Sequence, residues 1–332
     1  MKGIAVETFT DKLVDAIRAK RSILCGGLDP QLKFMPPQLR RKHRAYYHDT
    51  FEAVGRIYTR FNAVIIDAIA PYVIAVKPNK AFYEMYGYWG DWAFEQTVQY
   101  ARKKGLLIIG DAKRGDGGDT AEAYAQGYLG EVPFFKDLER DTSVSSPMRV
   151  DALTVNAWIG TACLDPFIEM VKTYGSGVFV VDKTSFSPDS VVEQLVVTDQ
   201  ELPNWQVLAH LVQNWGEGTE GEEGWRNLGV VMGATKPTDA PIMRRILPNS
   251  WFLVPGYGAQ GAPPDDAVLG ANDEGLGITV NSARYHERMA RRTIQNGTRE
   301  ICGSRWRGRA ICPRRTQRRT PTRRKAKFLE RG

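Results

Sequence analysis

Hydrophobic residues gather in short continuous runs, each ending in a polar or Gly/Pro cluster, and helical stretches lie between most of them. Eight such runs occur, at residues 22–27, 72–77, 105–110, 152–156, 177–183, 228–233, 251–255 and 276–281. Continuous rather than alternating apolar runs are typical of strands buried on both faces of a parallel sheet. Eight strands alternating with helices predict an α/β fold, a closed (β/α)8 TIM barrel, with a doubly wound open sheet as the alternative.

The stretches between the runs carry helical periodicity. Residues Thr8–Lys20 predict an amphipathic helix with Thr10 or Asp11 as its N-cap. Further helices are expected at residues 47–69, 92–104, 120–128, 166–174 and 204–215. The acidic, Gly-rich stretch at 216–224 has no apolar periodicity, so we expect a solvated surface loop there.

Charge is divided unevenly along the 332 residues. The chain has 45 Lys/Arg and 38 Asp/Glu, and residues 287–332 hold 16 of the basic and 3 of the acidic residues. The rest is therefore mildly acidic, with 29 basic and 35 acidic residues. Because the basic segment also lacks apolar periodicity, we predict a barrel domain over 1–286 and a disordered tail over 287–332.

Several protein classes are disfavoured. No run of about 18 apolar residues could form a transmembrane helix, and the N-terminus lacks the apolar core of a signal peptide. We therefore expect a cytoplasmic protein without membrane contacts. The four cysteines, at 25, 163, 302 and 312, are scattered and form no CxxC pair, which argues against a disulfide framework or a structural zinc site.

The third run leads into the most informative polar cluster. In a parallel barrel, reactive groups collect where strands end. Asp111 and Lys113 are two residues apart, so on an extended strand end they point to the same side, and Asp116 follows in the turn. A lysine flanked by carboxylates stays protonated and can donate a proton, while a carboxylate facing an anionic group could favour its loss as carbon dioxide. A surface salt-bridge cluster is the alternative.

The last two runs indicate a phosphate site. After the seventh run, Gly256, Gly258 and Gly261 allow the backbone to approach a ligand closely, and Gln260 offers amide donors. Arg284, after the eighth run, offers a planar fork for phosphate oxygens. Barrels often bind phosphate with the loops that follow strands seven and eight.

Together these residues resemble a known family. Asp111-x-Lys113-x-x-Asp116 followed by Thr120 is similar to the signature of the orotidine 5'-phosphate decarboxylases. Further sequence blocks match in the family's order, and their sequences are most similar to its longer bacterial branch. They are GLDP at 27–30, VKPNKAFYE at 76–84, TVNAWIG at 154–160, KTS at 183–185, GVVMGAT at 229–235 and VPGYGAQGA at 254–262. The resemblance spans about residues 8–284.

The resemblance implies conversion of orotidine 5'-phosphate to uridine 5'-phosphate in pyrimidine biosynthesis, without a metal or organic cofactor. Lys113 would protonate C6 of the pyrimidine, and Asp111 would lie against the substrate carboxylate. Lys77 would complete a charged Lys-Asp-Lys-Asp network with Asp116, although Lys80 is close enough in sequence to be an alternative.

The remaining roles implied by the resemblance concern binding and assembly. The enzyme would be a homodimer in which each chain lends residues to its partner's site. Those residues are Asp116 and Thr120, which would contact the ribose; Asp29 would also hold ribose hydroxyls. The pyrimidine contacts would be Asn156 and Ser185. The phosphate contacts would be Gln260 and Arg284, with backbone from Pro255 and Gly256 nearby.

Three features depart from the family pattern. Gly117 stands where Ile or Val is usual, which would loosen the loop carrying Asp116. Tyr285 follows Arg284 in place of the usual glycine. The Arg-rich tail replaces a final barrel-closing helix, and either a natural extension or a frame error in the gene accounts for it.

Two other functions remain open. Magnesium-dependent sugar-phosphate decarboxylases and aldolase-type synthases of the same superfamily resemble the Asp-x-Lys pattern, but they use extra carboxylates, and the KPN and TVN strand ends bring none. The second alternative is a nucleic-acid-binding protein acting through its tail, where Trp306 and Phe328 could stack on bases. We expect such tail binding to be non-specific.

Overall fold

Eight parallel strands close into a barrel in the computed structural model, which describes residues 6–135, 142–186, 191–258 and 260–283. Each strand pairs with its two neighbours in chain order, and the last strand pairs with the first. The strands are β1 (Leu24–Leu28), β2 (Ala75–Pro78), β3 (Leu107–Arg114), β4 (Ala152–Val155), β5 (Gly177–Lys183), β6 (Arg226–Met232), β7 (Ser250–Val254) and β8 (Ile278–Ser282). The predicted barrel is confirmed, and the open sheet is wrong.

Eleven α-helices occur in the described residues, and together they cover the barrel and flank its loops. They are α1 (Phe9–Lys20), α2 (Pro37–Tyr47), α3 (Phe51–Ile69), α4 (Ala81–Glu84), α5 (Gly87–Lys103), α6 (Gly118–Leu129), α7 (Thr161–Tyr174), α8 (Val191–Gln194), α9 (Asn204–Trp215), α10 (Ala240–Ile246) and α11 (Pro264–Ala267). Strands enclosed in this way are buried on both faces, which explains their continuous apolar runs.

The predicted N-cap of α1 is wrong. Thr8 caps the helix, because its hydroxyl accepts a hydrogen bond from the Asp11 N–H and donates one to the Asp11 carboxylate. Thr10 and Asp11 lie within the first turn. The Asp11 carboxylate also accepts hydrogen bonds from the N–H groups of Glu222 and Glu223, at 3.1 Å each. Residues 216–224, most of which are exposed, are therefore tied to α1.

Register shifts mark two strand ends near the carboxyl face of the barrel. One lies between Gly110 and Arg114 where β3 pairs with β4, and the other lies between Val231 and Met232 where β6 pairs with β5. Such irregularities re-aim side chains and are common beside active sites. Asp111 and Lys113 lie within the first of them.

Some predictions fall on other parts of the chain. Arg284, Tyr285 and the tail at 287–332 lie outside the described residues. Two short hairpins were not predicted, one pairing Glu131–Pro133 with Ser143–Ser145 and the other pairing Val196–Val197 with Leu202–Pro203. Within the described ranges, no helix is long and apolar enough to span a bilayer.

Candidate active site

A cavity of about 240 Å³ opens at the carboxyl ends of the strands. Most of the residues predicted for the site line it, together with apolar residues from β5, β6 and β7. The predicted residues in the lining are Asp29, Lys77, Asp111, Lys113, Ser185, Pro255, Gly256 and Gln260.

Lys77, Asp111 and Lys113 form a charged wall of the pocket, and the Asp111 carboxylate is at its centre. One of its oxygens pairs with the Lys77 ammonium and the other with the Lys113 ammonium. The Thr154 hydroxyl, from the neighbouring strand β4, donates a further hydrogen bond to Asp111 at 3.1 Å. Only 8% of the Asp111 side chain is exposed, so the two lysines rather than water balance its charge.

Burial and charge oppose each other in this group. Burial favours the neutral form of Asp111, but the attraction of Lys77 and Lys113 and their hydrogen bonds outweigh it and lower the pKa of Asp111. For Lys77, burial likewise favours the neutral form, and the charges of Asp111 and Asp29 outweigh it and raise its pKa. The aspartate is therefore ionised and Lys77 is protonated at neutral pH.

Lys113 differs from Lys77 in exposure and backbone conformation. Its side chain is 51% exposed at the mouth of the pocket, whereas that of Lys77 is 5% exposed. The φ angle of Lys113 is +47°, in the left-handed region that non-glycine residues rarely adopt. The Lys113 N–H donates to the Thr154 hydroxyl at 3.0 Å, which holds this strained residue in place.

The structure distinguishes the two candidate lysines, one within β2 and one just after it. Lys80 is also buried, but its ammonium pairs with Asp91 at 2.7 Å and lies 4.6 Å from the centre of the Phe94 ring. Both partners belong to α5, outside the barrel wall. Of these two residues, Lys77 alone lines the pocket and pairs with Asp111.

The opposite wall is formed by the ends of β5 and β7. Gly256 has a φ angle of +100°, and a Cβ atom there would lie 2.9 Å from the Ser185 Cβ and 3.1 Å from the Gln260 side-chain oxygen. Any other residue would therefore be strained and crowded at this position. Ser185 and Gln260 consequently flank a stretch of bare backbone that a ligand can approach.

Three predicted residues lie outside the lining. Asp116, Thr120 and Asn156 are exposed, and a side-chain oxygen of Asp116 accepts a hydrogen bond from the Gly117 N–H at 2.8 Å. The Asn156 side-chain oxygen accepts a hydrogen bond from the Trp158 N–H at 3.2 Å. Their predicted roles stay predictions.

Sequence reasoning gave no role to some residues of the pocket. Thr154 contacts both Asp111 and Lys113, and its signal was a lone hydroxyl in the apolar run ALTV. Phe186 and Asn281 also line the cavity. Among the residues that the structure describes, no three His, Cys, Asp or Glu side chains form a group that could hold a metal ion.

The chain is similar to known proteins over most of its length. Residues 23–275 match the model of the "Orotidine 5'-phosphate decarboxylase / HUMPS family". Proteins named orotidine 5'-phosphate decarboxylase are similar over most of the chain. One from Rhodopirellula baltica is 37% identical over 84% of this chain and 87% of its own. Another, from Caldicellulosiruptor bescii, is 34% identical over 83% and 88%. The solved OMP decarboxylase of Leishmania donovani has a TM-score of 0.64 at 26% identity and covers 86% of this chain and 95% of that one.

Proposed function

The chain belongs to the orotidine 5'-phosphate decarboxylase / HUMPS family, and we propose that its pocket converts orotidine 5'-phosphate to uridine 5'-phosphate and carbon dioxide. It is thus a carbon–carbon lyase of pyrimidine biosynthesis. The observation that most strongly supports this function is the buried Asp111 carboxylate, which lies between two ammonium groups at the pocket wall.

The charges account for the bond that breaks. With the pyrimidine C6 carboxylate beside the ionised Asp111, two negative groups repel each other in a partly dry site. Cleavage of the bond between C6 and the carboxylate carbon releases neutral carbon dioxide and leaves the electron pair on C6. The Lys113 ammonium stabilises that developing charge and then gives its proton to C6. Lys77 keeps Asp111 ionised throughout.

Further residues, inside and outside the described pocket lining, orient the substrate in this proposal. Asp29 holds ribose hydroxyls, and Ser185 and Asn156 contact the pyrimidine. Gln260 and Arg284 bind the 5'-phosphate beside the backbone of Pro255 and Gly256. The phosphate is remote from C6, so its binding energy is available for ordering the site around the reacting carbon.

We also propose a homodimer in which Asp116 and Thr120 complete the partner's site. Support comes from their exposure in a single chain and from the apolar residues Trp158 and Ile159, which are 78% and 55% exposed on the loop after β4. Mixing inactive Lys113→Ala and Asp116→Ala dimers tests this arrangement. Random reassembly would restore about a quarter of wild-type activity if sites are shared across a two-fold interface, and none if each chain is self-sufficient.

Neither rival function is favoured. The relatives at 34% and 37% identity are named decarboxylases of orotidine 5'-phosphate, not synthases or nucleic-acid-binding proteins. Metal independence and a cytoplasmic location stay predictions.

The direct test is the loss of orotidine 5'-phosphate absorbance with purified protein, with and without EDTA. We expect conversion to uridine 5'-phosphate at the same rate in both samples. Conversion that EDTA abolishes would contradict the metal-free mechanism, and no conversion at all would contradict the proposed function.

A further inference from the structure

The end of β5 that presents Ser185 is held from several sides. The Lys183 carbonyl accepts a hydrogen bond from the Gly233 N–H at 2.8 Å. The Thr184 N–H donates to a side-chain oxygen of Glu193 at 3.1 Å. The Ser185 carbonyl accepts a hydrogen bond from the Thr235 hydroxyl at 3.0 Å. Three successive residues are thus fixed through their main chain, which leaves the Ser185 side chain at the pocket wall.

Glu193 is the one charged group among these donors and acceptors. It lies on α8, and only 8% of the residue is exposed. Its second oxygen lies 3.4 Å from the ammonium of Lys183, which is fully buried. Asp239 lies 3.7 Å from the same ammonium. Glu193 therefore contacts both the main chain and a side chain of the strand end, and Lys183 keeps a second counterion without it.

The short helix that carries Glu193 is itself anchored. The Asn204 side-chain amide donates to the Val192 carbonyl at 3.2 Å, and the Asn204 N–H donates to the Leu195 carbonyl at 2.8 Å. Asn204 begins α9, which packs against the barrel. Contacts with α9 therefore help to fix the position of Glu193.

We propose that Glu193 is a positioning residue, which sets the location of the Ser185 hydroxyl through its hydrogen bond to the Thr184 N–H. This inference rests on the proposed function, because it takes the pyrimidine of orotidine 5'-phosphate as the ligand of Ser185. Hydrogen-bond strength falls steeply with misalignment, so a small shift of the strand end would weaken that contact.

A double-mutant cycle on Ser185 and Glu193 separates positioning from general stability. Loss of one hydrogen bond to the substrate should lower kcat/KM by about 3- to 10-fold in Ser185→Ala. Glu193→Ala should cause a loss of similar size. In the Ser185→Ala background the same Glu193→Ala change should cost less than about 2-fold, because the contact it positions is already absent.

Glu193→Gln is the conservative variant. Its side-chain oxygen can still accept the Thr184 N–H, and Asp239 still balances Lys183, so we expect kcat/KM within about 3-fold of wild type. Asp199→Ala is the matched control, since it removes an exposed carboxylate from the same segment. We expect wild-type kcat/KM from that variant.

Equal losses from Glu193→Ala in both backgrounds would overturn the inference, because they would indicate an effect independent of Ser185. So would a Gln variant as impaired as the Ala variant. A wild-type protein that converts no orotidine 5'-phosphate would instead refute the proposed function, and that result is obtained before any variant is made.

Discussion

Lys77 and Lys113 pair with the same carboxylate, yet they should contribute very differently to stability. Lys77 is almost completely buried, and Lys113 is half-exposed. We predict that Lys77→Met lowers the free energy of unfolding substantially, while Lys113→Met leaves it nearly unchanged. Methionine keeps most of the side-chain volume in both variants, so each change chiefly removes a charge.

The magnitudes follow from burial. Removing one partner of a buried ion pair costs about 3–5 kcal/mol, and the lower end applies here because Lys113 still neutralises Asp111. Breaking a half-exposed pair costs about 0–1 kcal/mol. Since domains are stable by only about 5–15 kcal/mol, the loss in Lys77→Met would be a large share of the total.

Equilibrium urea unfolding, followed by tryptophan fluorescence at one fixed protein concentration, measures both losses. Buried Trp251 provides a signal from the barrel wall. The expected difference between the variants is about 2 kcal/mol or more. Equal losses of stability, or a larger loss in Lys113→Met, would show that burial does not determine how much each lysine contributes to the free energy of unfolding.

Three further predictions concern single positions. The Asp182 carboxyl has no hydrogen-bond partner in the described part of the chain, and burial together with the nearby Glu193 charge raises its pKa well above the usual range. The folded state thus holds a proton that the unfolded state loses, so the free energy of unfolding should fall as pH rises above about 4. The urea midpoint should therefore fall less from pH 5 to pH 8 in Asp182→Asn than in wild type. An equal fall in both proteins would contradict this prediction. Lys113→Gly should be about 1 kcal/mol more stable than Lys113→Ala, because glycine relieves the left-handed strain at φ +47°; the reverse order would show that no strain is stored. Gly117 is the N-cap of α6, with an extended backbone and open space around a would-be Cβ, so Gly117→Ser should raise stability by about 0.4–1 kcal/mol in the same unfolding assay, and a loss would mean that the site cannot take a side chain.

Local patterns were enough to predict the barrel. Burial on both faces produces continuous apolar runs, so all eight strands could be found, and α9 begins and ends where periodicity placed it, at 204–215. Strand ends were less accurate. The third apolar run stops at residue 110, but β3 continues to Arg114. The run ended early because this extension contains Asp111 and Lys113, which line the pocket.

Side-chain direction was harder to predict than position in sequence. Lys77 and Lys80 are three residues apart, and the choice between them depends on which side of the barrel wall each faces. Lys113 contacts Asp111 as the spacing suggested, but from a left-handed rather than extended backbone. The N-cap of α1 was misplaced because Thr8, Thr10 and Asp11, which lie within four positions, can all serve as N-caps.

A comparison of turnover in wild type and Lys113→Ala shows whether Lys113 supplies the proton to C6. Initial rates of orotidine 5'-phosphate loss would be measured for both, alongside the thermal shift that each shows with uridine 5'-phosphate. We expect rapid turnover in wild type and none detectable in the variant, with product binding retained by both. Near-wild-type turnover in Lys113→Ala would show that Lys113 is not the proton donor.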